Sequence, residues 1–214
     1  MGRFEKMPTD AFKKMTYGAG VVASKFEPET GVLALSDILF ATKGGNAVTA
    51  TREIVDQGAD LDNCPENVYQ LQKAQPFQTS VSGTAVSVDE KIIKKMFANA
   101  DVTTDTITKI SLRDNFKLED FEDIWLIVNY SSDNTEETGG FIAYHFKNTI
   151  NVDGFSSTFA KNANGEFPYN FKAFYDLNNL SEVPFEIYIK AGVNADKMSP
   201  EITPTETQTE NTEE

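Results

Sequence analysis

Apolar and polar residues alternate with a period of two over much of this chain, the spacing that turns successive side chains to opposite faces of a β-strand. The clearest run is PFQTSVSGTAVSV, in which Phe77, Thr79, Val81 and Ala85 share one face while Gln78, Ser80, Ser82 and Thr84 share the other. NAVTATREIVD repeats the scheme, with Val48, Ala50 and Ile54 opposite Thr49, Thr51 and Glu53, and with Arg52 interrupting the apolar row. VLALSDILFAT, DTITKIS, GFIAYHFKNTI, GFSSTFA, EFPYNFKAFYDL and PFEIYIKAG predict further strands, punctuated by turn signals such as Gly44-Gly45-Asn46 and Asn164-Gly165. FEDIWLIVNY breaks the alternation. Its Ile124, Trp125, Leu126, Ile127 and Val128 are apolar on both faces, so this strand needs cover on both sides, which an oligomer would supply readily.

One segment changes period. Ile92, Ile93, Met96 and Phe97 recur at helical spacing, and Ser87 with Glu90 has the Ser-x-x-Glu pattern of a capping box, which predicts one α-helix over about residues 88–99. Lys91, Lys94 and Lys95 lie mainly off that stripe, so the helix is expected to pack one face on a sheet and turn the other to solvent or a neighbour. Residues 1–30, broken by Gly18, Gly20 and Pro28, read as an N-terminal arm, and 31–192 as one β domain. Within it, about residues 57–72 form a long polar loop around GADLDNCPENVYQ. Residues 193–214 are rich in Thr, Glu and Pro; with so little apolar content to offset the entropy of ordering, they read as a disordered acidic tail.

A length of 214 residues suits one domain with a sizeable core, and 11% aromatic residues, led by 16 Phe, favour strands. A net charge of -14 argues against ordinary nucleic-acid binding, which uses Lys and Arg to displace counterions, and against attachment to anionic membranes. No apolar run approaches the roughly 20 residues that span a bilayer. MGRFEKMPTDAFKKM contains no continuous apolar signal core, so the expected place of synthesis and assembly is a cytoplasm. Cys64 is alone and reads as a small packing residue.

Catalytic chemistry has little to work with. His145 is the single His and sits within an alternating strand, where a surface or interface role is the simpler reading, and no Gly-x-Ser-x-Gly elbow occurs. Glu119, Asp120, Glu122 and Asp123 offer paired carboxylates of the kind glycoside hydrolysis uses, although acids at the mouth of a strand are commoner. Asp56, Asp60, Asp62, Asn63 and Glu66 resemble a hard-cation loop but lack the Gly that an EF-hand turn requires. Gly44-Gly45 leads into a strand and not a helix, so it reads as a turn and not a phosphate cradle. Tyr169, Phe171 and Tyr175 read as core, since base stacking also needs a basic groove. The expectation is a non-enzymatic protein without cofactor or metal.

Three segments, GADLDNCPENVYQLQKA from Gly58, LEDFEDIWLIVNYSS from Leu118 and VPFEIYIKAG from Val183, resemble the major tail protein (tail tube protein) family of siphoviruses and prophages of Gram-positive bacteria. ATKGGNAVTATREIVDQG before the first and TGGFIAYHFKN after the second agree in order and spacing, so the similarity spans most of residues 10–192. The resemblance implies two packed β-sheets with a flanking helix, hexameric rings whose inner sheets join as a barrel, and rings stacked around a channel through which DNA passes into the host. It also implies a location in the virion tail, and as partners further copies of the chain, a tape measure protein, a tail terminator and distal tail or baseplate proteins.

Within that picture Thr49, Thr51, Glu53, Gln78, Ser80, Ser82 and Thr84 are expected to line the lumen, and an acidic channel would repel phosphate. The loop with Asp56, Asp60, Asp62, Asn63 and Glu66, together with the N-terminal arm, is expected to reach an adjacent ring. A phage-derived injection particle or a tail-like bacteriocin would use the same subunit. A monomeric β-sandwich ligand-binding module is the alternative from another class.

Overall fold

The computed structural model describes Pro8, residues 11–130 and residues 139–192. The expected tail over 193–214, the start of the expected arm and the turn over 131–138 lie outside the described residues. In chain order the strands are β1 (Thr16–Ala23), β2 (Ile38–Phe40), β3 (Thr42–Thr51), β4 (Ile54–Asp56), β5 (Gln72–Ala74) and β6 (Gln78–Ala85). Helix α1 (Glu90–Phe97) follows, then β7 (Ala100–Thr104), β8 (Thr108–Leu112), β9 (Glu122–Tyr130), β10 (Gly140–Asn151), β11 (Phe167–Ala173) and β12 (Phe185–Lys190). The mainly β expectation with one flanking α-helix holds, but the two layers are one continuous sheet. Its eight strands run β2-β1-β9-β10-β11-β6-β3 with β12 also on β10, while β4/β5 and β7/β8 form separate two-stranded ribbons.

Strand β10 makes the fold. From Phe141 to Phe146 it lies between β9 and β12; at Thr149–Asn151 its neighbour on the β12 side becomes β11. The switch occurs at a bulge between Phe146 and Thr149, where Asn148 takes a left-handed backbone with φ of 51°. Such bulges bend a strand, and here the bend folds β11, β6 and β3 over β9 and β1. Asp123 of β9 clasps the bulge: its Oδ1 accepts the Asn148 N–H at 2.9 Å, and its Oδ2 lies 2.9 Å from His145 Nε2. That imidazole, the first cause, and the Asn148 amide hold the Asp123 carboxyl below the usual carboxylate range against the opposing effect of burial. The far ends of the curled sheet nearly meet, with Asn46 of β3 donating to the Ala19 carbonyl of β1 at 2.8 Å. Tyr169 donates to the same Asn46, and both crowd Gly83, where a Cβ would sit 2.6 Å from Asn46 Oδ1 and 2.7 Å from the Tyr169 hydroxyl.

Between the layers Val22, Phe40, Ile124, Leu126 and Phe146 meet Val81, Ala85, Phe167, Tyr169, Phe171 and Ala173, with Ile92 and Met96 of α1 closing the core. Each fully buried Phe of this core contributes about 1.5–3 kcal/mol by removal from water. The opposite face of β9 has its own cover. Trp125, Phe141 and Ala143 pack under Phe26 and Leu33 from the segment between β1 and β2. Phe26 meets Trp125 edge-on at 5.7 Å and Phe141 at 5.0 Å. The second apolar face of FEDIWLIVNY is therefore satisfied within the chain, and an oligomer is not needed to cover it.

Three boundaries differ from expectation. Thr16–Ala23, assigned to an arm over 1–30, is strand β1, with Val22 and Ala23 fully buried; its glycines disguised it, because they sit at a bulge that offsets the register against β9. The helix is capped by Asp89, whose carboxylate accepts the Ile92 N–H at 2.8 Å, while the Ser87 hydroxyl accepts the Ala41 N–H at 2.9 Å and ties the connection to β3. GFSSTFA contributes only an isolated bridge, Thr158 to Glu166, because its apolar residues dock as rings: Phe155 stacks on Phe97 at 4.5 Å, and Phe159 meets Phe167 edge-on at 5.9 Å.

Asp89→Ala is expected to lower unfolding free energy by about 1 kcal/mol, the usual value of an N-cap, and to reduce helical circular dichroism, whereas Ser87→Ala leaves the helix signal unchanged. Phe26→Ala removes the lid over the chain's single Trp; a loss of about 3 kcal/mol in denaturant unfolding and a red-shifted Trp125 emission are expected.

Candidate assembly surfaces

Six of the seven predicted lumen residues share one surface. In the β3/β6 register Thr49 lies opposite Ser80 and Thr51 opposite Gln78, while Ser82 and Thr84 continue the row opposite Ala47 and Lys43. These side chains point away from the core because their neighbours Thr79, Val81 and Ala85 are buried. Glu53 does not join them. It lies beyond the end of β3, where its carbonyl accepts the Gln75 N–H at 2.8 Å. The row also includes two residues not predicted for it, Asn170 opposite Ser82 and Lys172 opposite Ser80, with Lys172 Nζ 3.4 Å from Gln78 Oε1. Their period of two in β11 was visible, but no local signal named β6 as the partner. The surface is not acidic as expected. Strands β3, β6 and β11 contain no Asp or Glu, and their charges are Lys43, paired with Glu166, and Lys172.

Three strands of the eight-stranded sheet have a single partner: β2 pairs with β1, β3 with β6, and β12 with β10. The order begins at β2 and ends at β3, whose Asn46 reaches β1, while β12 branches from β10. On β12, Ile187 and Ile189 stand opposite Tyr144 and Ile142, on the inner face of the sheet, yet they are 51% and 63% exposed because the second layer stops short of them.

The predicted polar loop is the tip of a projecting ribbon. Beyond Thr51 and Gln78 the ladder stops for Arg52, Glu53 and Gln75 to Phe77, and Arg52 lies over the Phe77 ring at 4.8 Å. It resumes as β4/β5, with Ile54 opposite Ala74 and Asp56 opposite Gln72. A two-stranded ribbon with no layer beneath it is marginal alone in water, and this one exposes Ile54, Leu61 and Tyr69. Its acids are not equivalent. Asp56 is part of the loop's own frame, Oδ2 accepting the Asn67 N–H at 2.7 Å and Oδ1 the Gly58 N–H at 2.9 Å. Asp60, Asp62, Asn63 and Glu66 are exposed. Among the described residues no group of three or more His, Cys, Asp or Glu has the geometry of a metal site.

The other candidate groups have structural partners. Asp120 is gripped by Arg113 at 2.7 and 2.8 Å, Glu122 pairs with Lys95, and Asp123 with His145 and Asn148. Burial resists charge on Asp120, but Arg113 and the Lys117 amide outweigh it and keep its carboxyl below the usual range. His145, expected at a surface or an interface, is largely covered within the chain: it stacks on Trp125 with ring centroids 3.9 Å apart and an interplanar angle of 6°.

The amides of Asn67 and Gly58 lower the Asp56 carboxyl from its ordinary value. A depressed carboxyl stabilises the fold above the unfolded pKa, near 3.9, and loses that contribution as pH falls through the folded value. Asp56→Ala is therefore expected to speed amide hydrogen exchange at Gly58 and Asn67 at neutral pH while leaving β6 amides protected, and acidification of the unmodified chain toward pH about 3 should weaken the same two amides.

No family model matches the chain, and no curated protein matches it. Among solved structures, a chain of the virion of a native gene transfer agent particle aligns over 81% of this chain and 96% of its own length, at 9% identity and a TM-score of 0.40.

Proposed function

We propose that this chain is a structural subunit that assembles with copies of itself, as the major tail tube protein of a virion: hexameric rings, stacked into a tube whose channel lets DNA pass into the host. The observation that carries the reading is the unpaired edge of β12, a strand that pairs with β10 alone. Unpaired strand edges invite another chain, and when two different flanks meet around a rotation axis the contact repeats until the ring closes. The exposed Ile187 and Ile189 give the β12 flank apolar area to bury. The three segments that resemble tail tube proteins map onto the projecting ribbon, onto β9 with the turn before it, and onto β12.

In this reading the hydroxyl and amide surface of β3, β6 and β11 faces the channel. DNA would slide past it because Thr, Ser, Asn and Gln form no persistent ion pairs with phosphate, and not because of a carboxylate lining. Copies of the chain are the first partners; tape measure, terminator and distal tail proteins belong to the same proposal, as do assembly in the host cytoplasm and the absence of catalysis.

Electron microscopy of the purified chain tests it directly, with rings or tubes expected and monodisperse monomers at all concentrations counting against it. The double change Ile187→Lys with Ile189→Lys should leave unfolding free energy within about 0.5 kcal/mol, as exposed substitutions do, while abolishing rings.

A further inference from the structure

Asn164-Gly165 and Asp153-Gly154 are the two places in this chain where an Asn or Asp precedes a glycine. Such pairs carry latent chemistry. The side-chain carbonyl carbon and the backbone nitrogen of the next residue can close a five-membered ring, and a glycine puts no Cβ in the way. The fold treats the two pairs differently. Asp153-Gly154 is held on both sides: Asp153 Oδ1 accepts from Asn170 Nδ2 at 3.2 Å, and the Gly154 carbonyl accepts from the buried Asn151 side chain at 2.7 Å. Its ionised carboxylate is also a poor electrophile.

Asn164-Gly165 is left free. Asn164 is exposed, and neither its amide nor the Gly165 N–H makes a hydrogen bond among the described residues. The neighbouring main-chain bonds stop on either side of the pair. The Ala163 N–H donates to the Ala160 carbonyl at 3.2 Å, and Glu166 exchanges two bonds of 3.0 Å with Thr158. Asn162, equally exposed, lacks the combination, because the nitrogen that follows it is the bonded one of Ala163. A Cβ on Gly165 would lie 3.0 Å from the ring of Phe159, a side chain exposed enough to shift aside.

We propose that Asn164 is a site of spontaneous deamidation, with water as the co-reactant and ammonia as the leaving group. The Gly165 nitrogen gives its proton to a solvent base and bonds to Asn164 Cγ. The Cγ–Nδ2 bond then breaks and ammonia departs with a proton, leaving a cyclic imide. Water opens this ring on either side, and no oxidant or reductant enters. Hydrolysis at Cγ gives an ordinary aspartate. Hydrolysis at the main-chain carbonyl gives its isomer, in which the backbone runs through the former side chain and is one methylene longer. Both products carry a carboxylate where the amide was, two residues before the Glu166 that pairs with Lys43. The isomer also lengthens the main chain just ahead of the bridge from Glu166 to Thr158. The inference is independent of the assembly reading, and it makes the negative charge of this segment grow with the age of the chain.

The full chain, kept folded in mildly alkaline buffer and sampled over weeks, tests it by peptide mapping with mass spectrometry and by ion-exchange chromatography. Asn164 should convert at least roughly tenfold faster than Asn162, since glycine alone lacks the Cβ that crowds the approach. The rate should rise with pH, because the attacking nitrogen must first lose its proton, and isoaspartyl methyltransferase should label part of the product. Gly165→Ala should slow conversion by a similar factor. Asn164→Gln should abolish the growing acidic peak, since a Gln side chain has a larger ring to close. Conversion of Asn164 no faster than change at Asn162 or Asp153 overturns the proposal. So does a rate unaffected by Gly165→Ala, or conversion that occurs only after the chain is unfolded in urea.

Discussion

A single carboxylate bridges the place where this sheet changes direction. β10 must satisfy its backbone groups on both edges because most of its side chains are buried. It does so with β9 on one edge from Gly140 to Thr149, interrupted at the bulge, and with β12 and then β11 on the other. The change of partner leaves residues at the bulge outside the regular ladder, and Asp123 accepts the Asn148 N–H there while holding His145 on the near side. Without the bulge β11 would continue beyond β12 in the same plane, and the aromatic residues of β11 would have no opposing layer. The core between the layers, the near contact of β1 with β3, and the overhang of β12 all descend from that bend.

The overhang is the geometric remainder of folding one sheet over itself. The second layer of the sheet carries β11, β6 and β3, which oppose β9 and β1 but do not reach the inner face of β12 at Ile187 and Ile189. The segment with Phe26 and Leu33 instead spends its apolar residues on the outer face, over Trp125. One chain thus covers both faces of its most apolar strand and leaves the cost of exposure on a neighbouring one.

Much of the layer structure was legible in the sequence. Alternation in β6, β11 and β12 identified which side chains face inward, since a strand with one buried face must repeat every second residue. The doubly apolar run of β9 announced two covers, though not that Phe26 and Leu33 would supply one of them, because a covering loop has no period. β1 was hidden by Gly18 and Gly20, which weaken strand propensity but permit its bulge. The assembly surfaces were legible only in part. The hydroxyl rows of β3 and β6 were visible and proved adjacent, whereas Asn170 and Lys172 joined them through long-range pairing that no local pattern encodes. Glu53 fell out because the ladder breaks at Arg52, and Asp56 was an acid of the loop by composition but a brace of the loop by geometry.

Asn46 joins β3 to β1 by a side chain and not by a backbone ladder, and Tyr169 holds that same side chain from within the core. A seam closed this way parts without breaking any strand pairing. The two layers therefore have one line along which they can separate while each keeps its own hydrogen bonds, and the rest of the sheet, continuous through β10, acts as the spine of that opening.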